Sequence, residues 1–282
     1  MDIQTIGVVG AGAMGNGIAQ VCAQAGYHVL MNDREDAFVQ RGLSSISKSL
    51  GKLADKGKFS AEERDAIYGR ITPGTNLEDL SRADLVIEAV FEKLEVKREV
   101  LARLDAICRP ETILASNTSS ISITKLAAAT KRPDKIIGMH FFNPVPIMQL
   151  IEIIRALQTS QETFDTIREL SVKLGKTPVE VQDSPGFVTN RVLMPLLNEA
   201  MFTLMEGVAS AEDIDTAVKL GLNHPMGPLT LADYVGLDVC LDVMEVLHRE
   251  LGDPKFRPCP LLRKMVDAGY LGRKSGQGFY KY

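Results

Sequence analysis

Residues Lys135–Leu150 read KIIGMHFFNPVPIMQL, and the one histidine among them, His140, follows a run with the character of a buried strand. It should stand at that strand's C-terminal end, where open α/β sheets bind their ligands. Glu152 sits further on, in Leu150-Ile151-Glu152-Ile153-Ile154, with apolar neighbours for both faces of a strand. An ionised carboxylate buried alone is strongly unfavourable, so Glu152 needs a partner. A turn at Pro144-Val145-Pro146 can bring the chain back and offer it His140. A carboxylate bonded to an imidazole fixes the tautomer and stabilises the imidazolium. That pair suits the removal of a proton from an alcohol. Arg155 is close enough along the strand to leave a structural ion pair with Glu152 as the other reading.

A second constellation implies what would take up the electrons. Gly10-Ala11-Gly12-Ala13-Met14-Gly15 is a G-x-G-x-x-G run. Alone it is weak, but here it follows a strand-like segment and opens a helix, which is the context of a dinucleotide site. Gly10 permits the tight turn, Gly12 lets the backbone approach a pyrophosphate, and Gly15 lets helix and strand pack closely. Free N–H groups at the helix start favour phosphate. Asp33, 23 positions beyond Gly10, stands where a carboxylate binds the adenosine ribose and repels a 2′-phosphate. NAD is therefore the expected cofactor, and Arg34 beside Asp33 is a feature that would soften the preference over NADP.

The elements that must position these residues follow from hydrophobic patterning. Ile3–Val9, Tyr27–Asn32, Asp84–Val90, Thr112–Ser116, Lys135–Met139 and Gln149–Ile154 read as strands, with helical stretches such as Ile18–Ala25 and Glu95–Cys108 between several of them. Alternation of this kind predicts a Rossmann-type, doubly wound α/β fold with a mostly parallel sheet. Asp36–Gly69 interrupts it with a polar, lysine-rich segment, read as an inserted helical pair (residues 36–69) before a further strand near Ile71. Lys48, Lys52 and Lys56, four apart, make a basic stripe on one helix face; a solvated surface is the bland alternative.

Near Asp183-Ser184-Pro185-Gly186 the strand pattern stops and helical periodicity takes over. The expected division is a dinucleotide-binding domain over 1–184 and an all-α C-terminal domain over 185–282, used for substrate and dimerisation. Phe187, Arg191, Met194, Leu197, Met201, Leu204 and Met205 recur at helical intervals, and Leu193, Leu196 and Ala200 widen the apolar surface. A helix so apolar is usually buried, and a small helical domain leaves part of it for a second subunit, so a homodimer through this domain is expected.

Composition narrows the class. The 282 residues are 45% hydrophobic and 24% charged with a net charge of -4, which fits a folded protein and argues against a nucleic-acid surface. No apolar run approaches the ~20 residues of a membrane span, and the start, MDIQTIGVVG, resembles neither a signal nor a transit peptide. Cys22, Cys108, Cys240 and Cys259 are scattered, without a C-x-x-C pair, so no metal site is expected and a reducing cytoplasm fits.

Together the Gly10–Gly15 run, Ser116-Asn117-Thr118-Ser119-Ser120, His140-Phe141-Phe142-Asn143-Pro144, Asp183–Gly186 with Asn190-Arg191, and Gly272-Arg273-Lys274 with Gly278-Phe279-Tyr280 resemble the 3-hydroxyacyl-CoA dehydrogenase family from end to end. The compact length is similar to its short bacterial branch acting on 3-hydroxybutyryl-CoA. The resemblance implies that His140 is the general base and Glu152 the acid that orients it. It implies that Ser119 and Asn190 hold the reacting oxygen or the adjacent cofactor. By the same resemblance Glu92, Lys97, Asn117, Asn143 and Lys274 contact NAD, and Ser49 and Lys56 meet coenzyme A, whose phosphates an ammonium can neutralise. Two other readings compete. One is a dehydrogenase of free 3-hydroxy acids, which generally takes its base from a lysine in the helical domain. The other is a non-catalytic dinucleotide-binding protein.

Overall fold

The computed structural model describes residues 2–282, which form two compact units that divide between Ser184 and Pro185. In the first, β1 (Thr5–Val9) feeds α1 (Ala13–Gln24) and β2 (His28–Asn32). The inserted pair follows as α2 (Asp36–Asp55) and α3 (Ala61–Gly69), and then come β3 (Ile71–Gly74), β4 (Leu85–Glu88), α4 (Leu94–Ile107), β5 (Ile113–Ser116) and the short α5 (Ile123–Ala127). The chain continues through β6 (Ile136–Phe141), β7 (Leu150–Arg155), α6 (Gln161–Lys173) and β8 (Thr177–Gln182). The eight strands lie in the order β3-β2-β1-β4-β5-β6-β7-β8. Neighbours are parallel except β6 and β7, which run antiparallel.

The central strands β4, β5 and β6 are buried along their whole length. This is why they read as unbroken apolar runs rather than alternating ones. Ile6, Val8, Ile18, Val29, Ile87 and Ile137 belong to the core between sheet and helices.

The expected mostly parallel sheet and helical C-terminal region are present, with three corrections. Helix α1 starts at Ala13, not Ile18. Its first turn is glycine-rich and lacks apolar periodicity, but the preceding strand and turn set its start. Strand β8 was not anticipated. Its sequence TPVEVQ is mostly exposed and contains Pro178 and Glu180, the marks of an edge strand rather than a core one. Finally, β6 extends to Phe141, so His140 lies inside the strand instead of after it.

The second unit consists of α7 (Thr189–Met205), α8 (Ala211–Gly221), α9 (Pro228–Val235), α10 (Leu237–Leu251) and α11 (Pro260–Asp267). Met194, Leu197, Ala200 and Met201 of α7 join Leu229, Leu237, Met244, Leu247 and Leu262 in one core. Arg191 and Met205 of the expected stripe point outward, and Val192 is 67% exposed.

Two buried acids close this unit. Asp215 accepts hydrogen bonds from the Leu229 and Thr230 amides at 2.8 and 2.9 Å, and from the Tyr280 hydroxyl at 2.9 Å. Asp233 accepts from the Phe279 and Tyr280 amides at 2.9 and 3.0 Å and from the Tyr282 hydroxyl at 3.1 Å. Burial and the Asp215 carboxylate push the Tyr280 phenol above its ordinary pKa. Among the described residues no helix is long and apolar enough to cross a membrane.

Candidate functional site

The glycine turn has the clearances its sequence requires. Gly10 has φ of 103°, and a Cβ there would come within 2.5 Å of the Ala89 carbonyl oxygen. A Cβ on Gly15 would sit 1.8 Å from the Gly10 carbonyl oxygen. At Gly12 a Cβ would meet no protein atom within 4 Å, so the glycine keeps open the space through which a phosphate reaches the backbone. Gly12 caps α1 without a side chain, and the first turn carries no acid, so neither competes with an anion for the helix N-terminus. Asp33 is aimed at this turn. One carboxylate oxygen accepts from the Ala11 amide at 2.7 Å and the other from the Arg34 amide at 2.8 Å. The Arg34 side chain is exposed, lies 3.3 Å from Glu35 and stacks over Phe38. These features fit an NAD-type dinucleotide.

His140 and Glu152 are direct cross-strand neighbours in the antiparallel β6–β7 ladder. Residues opposite each other in such a pair present their side chains on the same face. Here Nδ1 of His140 lies 2.8 Å from Oε2 of Glu152, with His140 7% and Glu152 1% exposed. The Phe142 ring packs 4.4 Å from the imidazole, centre to centre. Arg155, the alternative partner for Glu152, is three residues along the strand and so faces the other side. It bonds Glu180 at 3.1 Å and Gln161 at 2.9 Å.

The SNTSS segment leaves β5 and is organised by acids from the β4 side. Glu88, fully buried at the end of β4, accepts from the Ser116 hydroxyl at 2.6 Å and from the Lys97 ammonium at 2.7 Å. Lys97 is 1% exposed and also reaches Glu92 at 3.2 Å and the Val90 carbonyl at 3.3 Å. Its three N–H groups thus have partners inside the protein. One oxygen of Glu92 gathers the Thr118 hydroxyl, the Ser119 amide and hydroxyl, and the Ser120 amide and hydroxyl. Burial raises the Glu92 pKa, but the Lys97 charge and these donated bonds outweigh it and hold the carboxyl below its usual value. Asn117 accepts from the Phe141 amide at 2.9 Å, tying the segment to the strand that carries His140.

The N-terminal unit therefore assembles three groups of expected site residues: Gly10, Gly12, Gly15 and Asp33; His140 with Glu152; and Glu92, Lys97, Asn117 and Ser119. Asn143 lies in the β6–β7 turn, at a cis bond to Pro144. Ser49 and Lys56 belong to α2, Ser49 half-buried and Lys56 at the C-cap, with Lys48 and Lys52 exposed on the same helix. Asn190 is the second residue of α7, and Lys274 pairs with Asp238 within the C-terminal unit. Sequence reasoning missed Glu88, and it took in Ser116 and Thr118 only as part of the SNTSS run, without a role of their own. Glu88 carried the same signal that pointed to Glu152, an acid within an apolar strand.

The chain matches two family models: 3-hydroxyacyl-CoA dehydrogenase, NAD binding domain, over residues 5–184, and 3-hydroxyacyl-CoA dehydrogenase, C-terminal domain, over residues 186–282. It is 59% identical to a probable 3-hydroxybutyryl-CoA dehydrogenase of Deinococcus radiodurans, covering 98% of this chain and 99% of that protein. It is 51% identical to a 3-hydroxybutyryl-CoA dehydrogenase of Bradyrhizobium diazoefficiens, covering 99% and 96%. The crystal structure of (S)-3-hydroxybutyryl-CoA dehydrogenase from Ralstonia eutropha superimposes with a TM-score of 0.98 at 54% identity, covering 100% of this chain and 99% of that one.

Proposed function

The chain belongs to the 3-hydroxyacyl-CoA dehydrogenase family, and from that premise we propose that His140 and Glu152 are the acid–base pair with which it interconverts 3-hydroxybutyryl-CoA and acetoacetyl-CoA. Its cofactor is NAD, which when bound takes up the hydride that C3 of the substrate gives. The observation that carries the reading is the 2.8 Å contact between two buried side chains, one a base and one an acid.

In the oxidative direction the Nε2 side of His140 removes the proton of the C3 hydroxyl. Glu152 holds Nδ1, so the ring presents one orientation, and its charge stabilises the imidazolium that forms. In reduction His140 returns the proton to the C3 oxygen. Ser119, steadied by Glu92, binds the reacting oxygen, and family resemblance gives Asn190 the same task. Glu92 and Asn143 flank the cofactor, Asn117 fixes the segment between them, and Lys97 acts through Glu92. Ser49, Lys56 and the lysines beside them on α2 meet the phosphates of coenzyme A. Lys274 is assigned to the cofactor by resemblance alone. The exposed Val192 of α7 and Val188 just before it support a homodimer formed through the C-terminal unit, and the buried thiols suit a reducing cytoplasm.

The test is NADH consumption with acetoacetyl-CoA, compared with free acetoacetate and with longer 3-ketoacyl-CoA thioesters. Turnover confined to the thioesters, fastest with acetoacetyl-CoA, is expected. Equal turnover of the free acid would transfer the chain to the dehydrogenases of free 3-hydroxy acids. NADH binding without turnover of any of them would make it a non-catalytic binder.

A further inference from the structure

Lys176 follows the left-handed Gly175 that ends α6 and directly precedes β8, a place where a lysine ordinarily reaches solvent. Here it is only 9% exposed. Its ammonium donates to the Val145 carbonyl at 2.6 Å and to the Met148 carbonyl at 2.7 Å. It forms no ion pair among the described residues. Burial pulls its pKa below the ordinary lysine value. A buried cation without a carboxylate is costly, and the two carbonyls that stabilise it belong to one turn.

That turn, 142–149, joins the strand of His140 to the strand of Glu152 and carries Asn143. Its other fastenings are visible. Val145 is buried against α1, where a Cβ on Gly17 would come within 2.8 Å of the valine Cβ. Thr177, next to Lys176, donates its amide to the Gln149 carbonyl at 2.8 Å. Within the turn the Ile147 and Met148 amides both donate to the Pro144 carbonyl at 3.0 Å, but the side chains of Ile147 and Met148 are exposed and do not tie it to the rest of the unit. The turn is therefore gripped from the β8 side by an ammonium and seated on the helix whose first turn faces the dinucleotide.

We infer that Lys176 is a positioning residue for the hydride transfer: by clamping the Val145 and Met148 carbonyls it sets the turn, and with it Asn143 and the ends of the His140–Glu152 hairpin, against α1. The inference rests on the acid–base reading of His140 given above. A misplacement of about 1 Å at reacting groups can lower turnover by roughly a hundredfold, so a loosened clamp should act on turnover more than on binding.

The experiment compares Lys176→Met, Lys176→Arg, Gly17→Ala and His140→Gln in the full chain, using acetoacetyl-CoA and NADH. Leu170→Ala, a cavity in the α6 core away from the site, controls for lost stability. Lys176→Met should lower kcat by about 10- to 100-fold. KM for NADH should stay within about threefold, and the primary isotope effect with NADH deuterated at the transferred position should rise as hydride transfer becomes limiting. Lys176→Arg should restore part of kcat. Gly17→Ala, which pushes on Val145 from the opposite side, should reproduce the kinetic change even if Lys176→Met fails to fold. Leu170→Ala should lose thermal stability and keep kcat. Normal kcat in both Lys176→Met and Gly17→Ala, or an equal loss in Leu170→Ala, would overturn the inference. If His140→Gln itself keeps its turnover, the acid–base reading fails instead.

Discussion

His140 and Glu152 are brought together by a backbone ladder, whereas Ser119 is held by a side chain. In the first region, strand pairing sets the two residues opposite each other, and a 2.8 Å contact follows from register. In the second, the chain has left β5 and has no ladder to follow. Its hydroxyls and amides converge on one Glu92 oxygen, and Glu92 is anchored by the buried Lys97. Register is a property of many hydrogen bonds and survives the loss of one side chain. A loop wound on a single carboxylate does not. The pair should therefore fail in its chemistry while keeping its shape, and the loop should fail in its shape.

Substitutions can break or sharpen this contrast. His140→Gln should reduce kcat by at least about 10²–10⁴-fold while NADH binding and thermal stability stay near those of the parent. A parallel loss of stability would mean that the ring is structural. Lys97→Met should behave in the opposite way. It strands the fully buried Glu88 without its cation, which typically costs about 3–5 kcal/mol in stability. Thermal or denaturant unfolding would reveal this, and an unchanged midpoint would remove Lys97 from the centre of the network.

Glu152→Gln keeps a hydrogen-bonding side chain but removes the charge, so kcat should fall by about ten- to a hundredfold. Its pH–rate profile should also differ from the parent's, and an identical profile would leave Glu152 a purely structural role. The smallest effect should come from Glu92→Gln, which keeps an oxygen to accept the loop's bonds and loses only the charge, and it is read through pH. The folded carboxyl titrates below its ordinary value of 4.5. Its stabilising contribution is thus fully present above that value and is lost as pH falls through the lower folded pKa. The difference in thermal midpoint between parent and variant should be largest near neutrality and narrow in acid. A difference independent of pH would contradict an ionised hub.

The two regions also differ in how readily they could be read. A carboxylate amid isoleucines is conspicuous, so Glu152 and its need for a partner were legible, as were the glycine turn and Asp33. The pairing itself was legible only as a turn that could return the chain. That His140 lies within β6, in direct register with Glu152, required the strand ends. Glu88 could have been found by the same reasoning. The burial of Lys97, which entered by family resemblance alone, and of Lys176 could not. One sits on a charged helix and the other follows a helix-ending glycine, both ordinary surface positions, and only the fold around them makes them interior. Strand β8 escaped because an edge strand's sequence is selected to look unlike a core strand.

The buried acid Asp233 imposes a timetable on synthesis. The N-terminal unit holds everything its sheet requires by Ser184. Within the helical unit Asp215 already has the α9 amides of Leu229 and Thr230, but Asp233 has no donor until residues 279–282 exist to bond it. At roughly 5–20 residues per second, translating the remaining hundred or so residues takes about 5–20 s. During that interval the nascent helical unit carries in its interior one carboxylate whose donors have not yet been made.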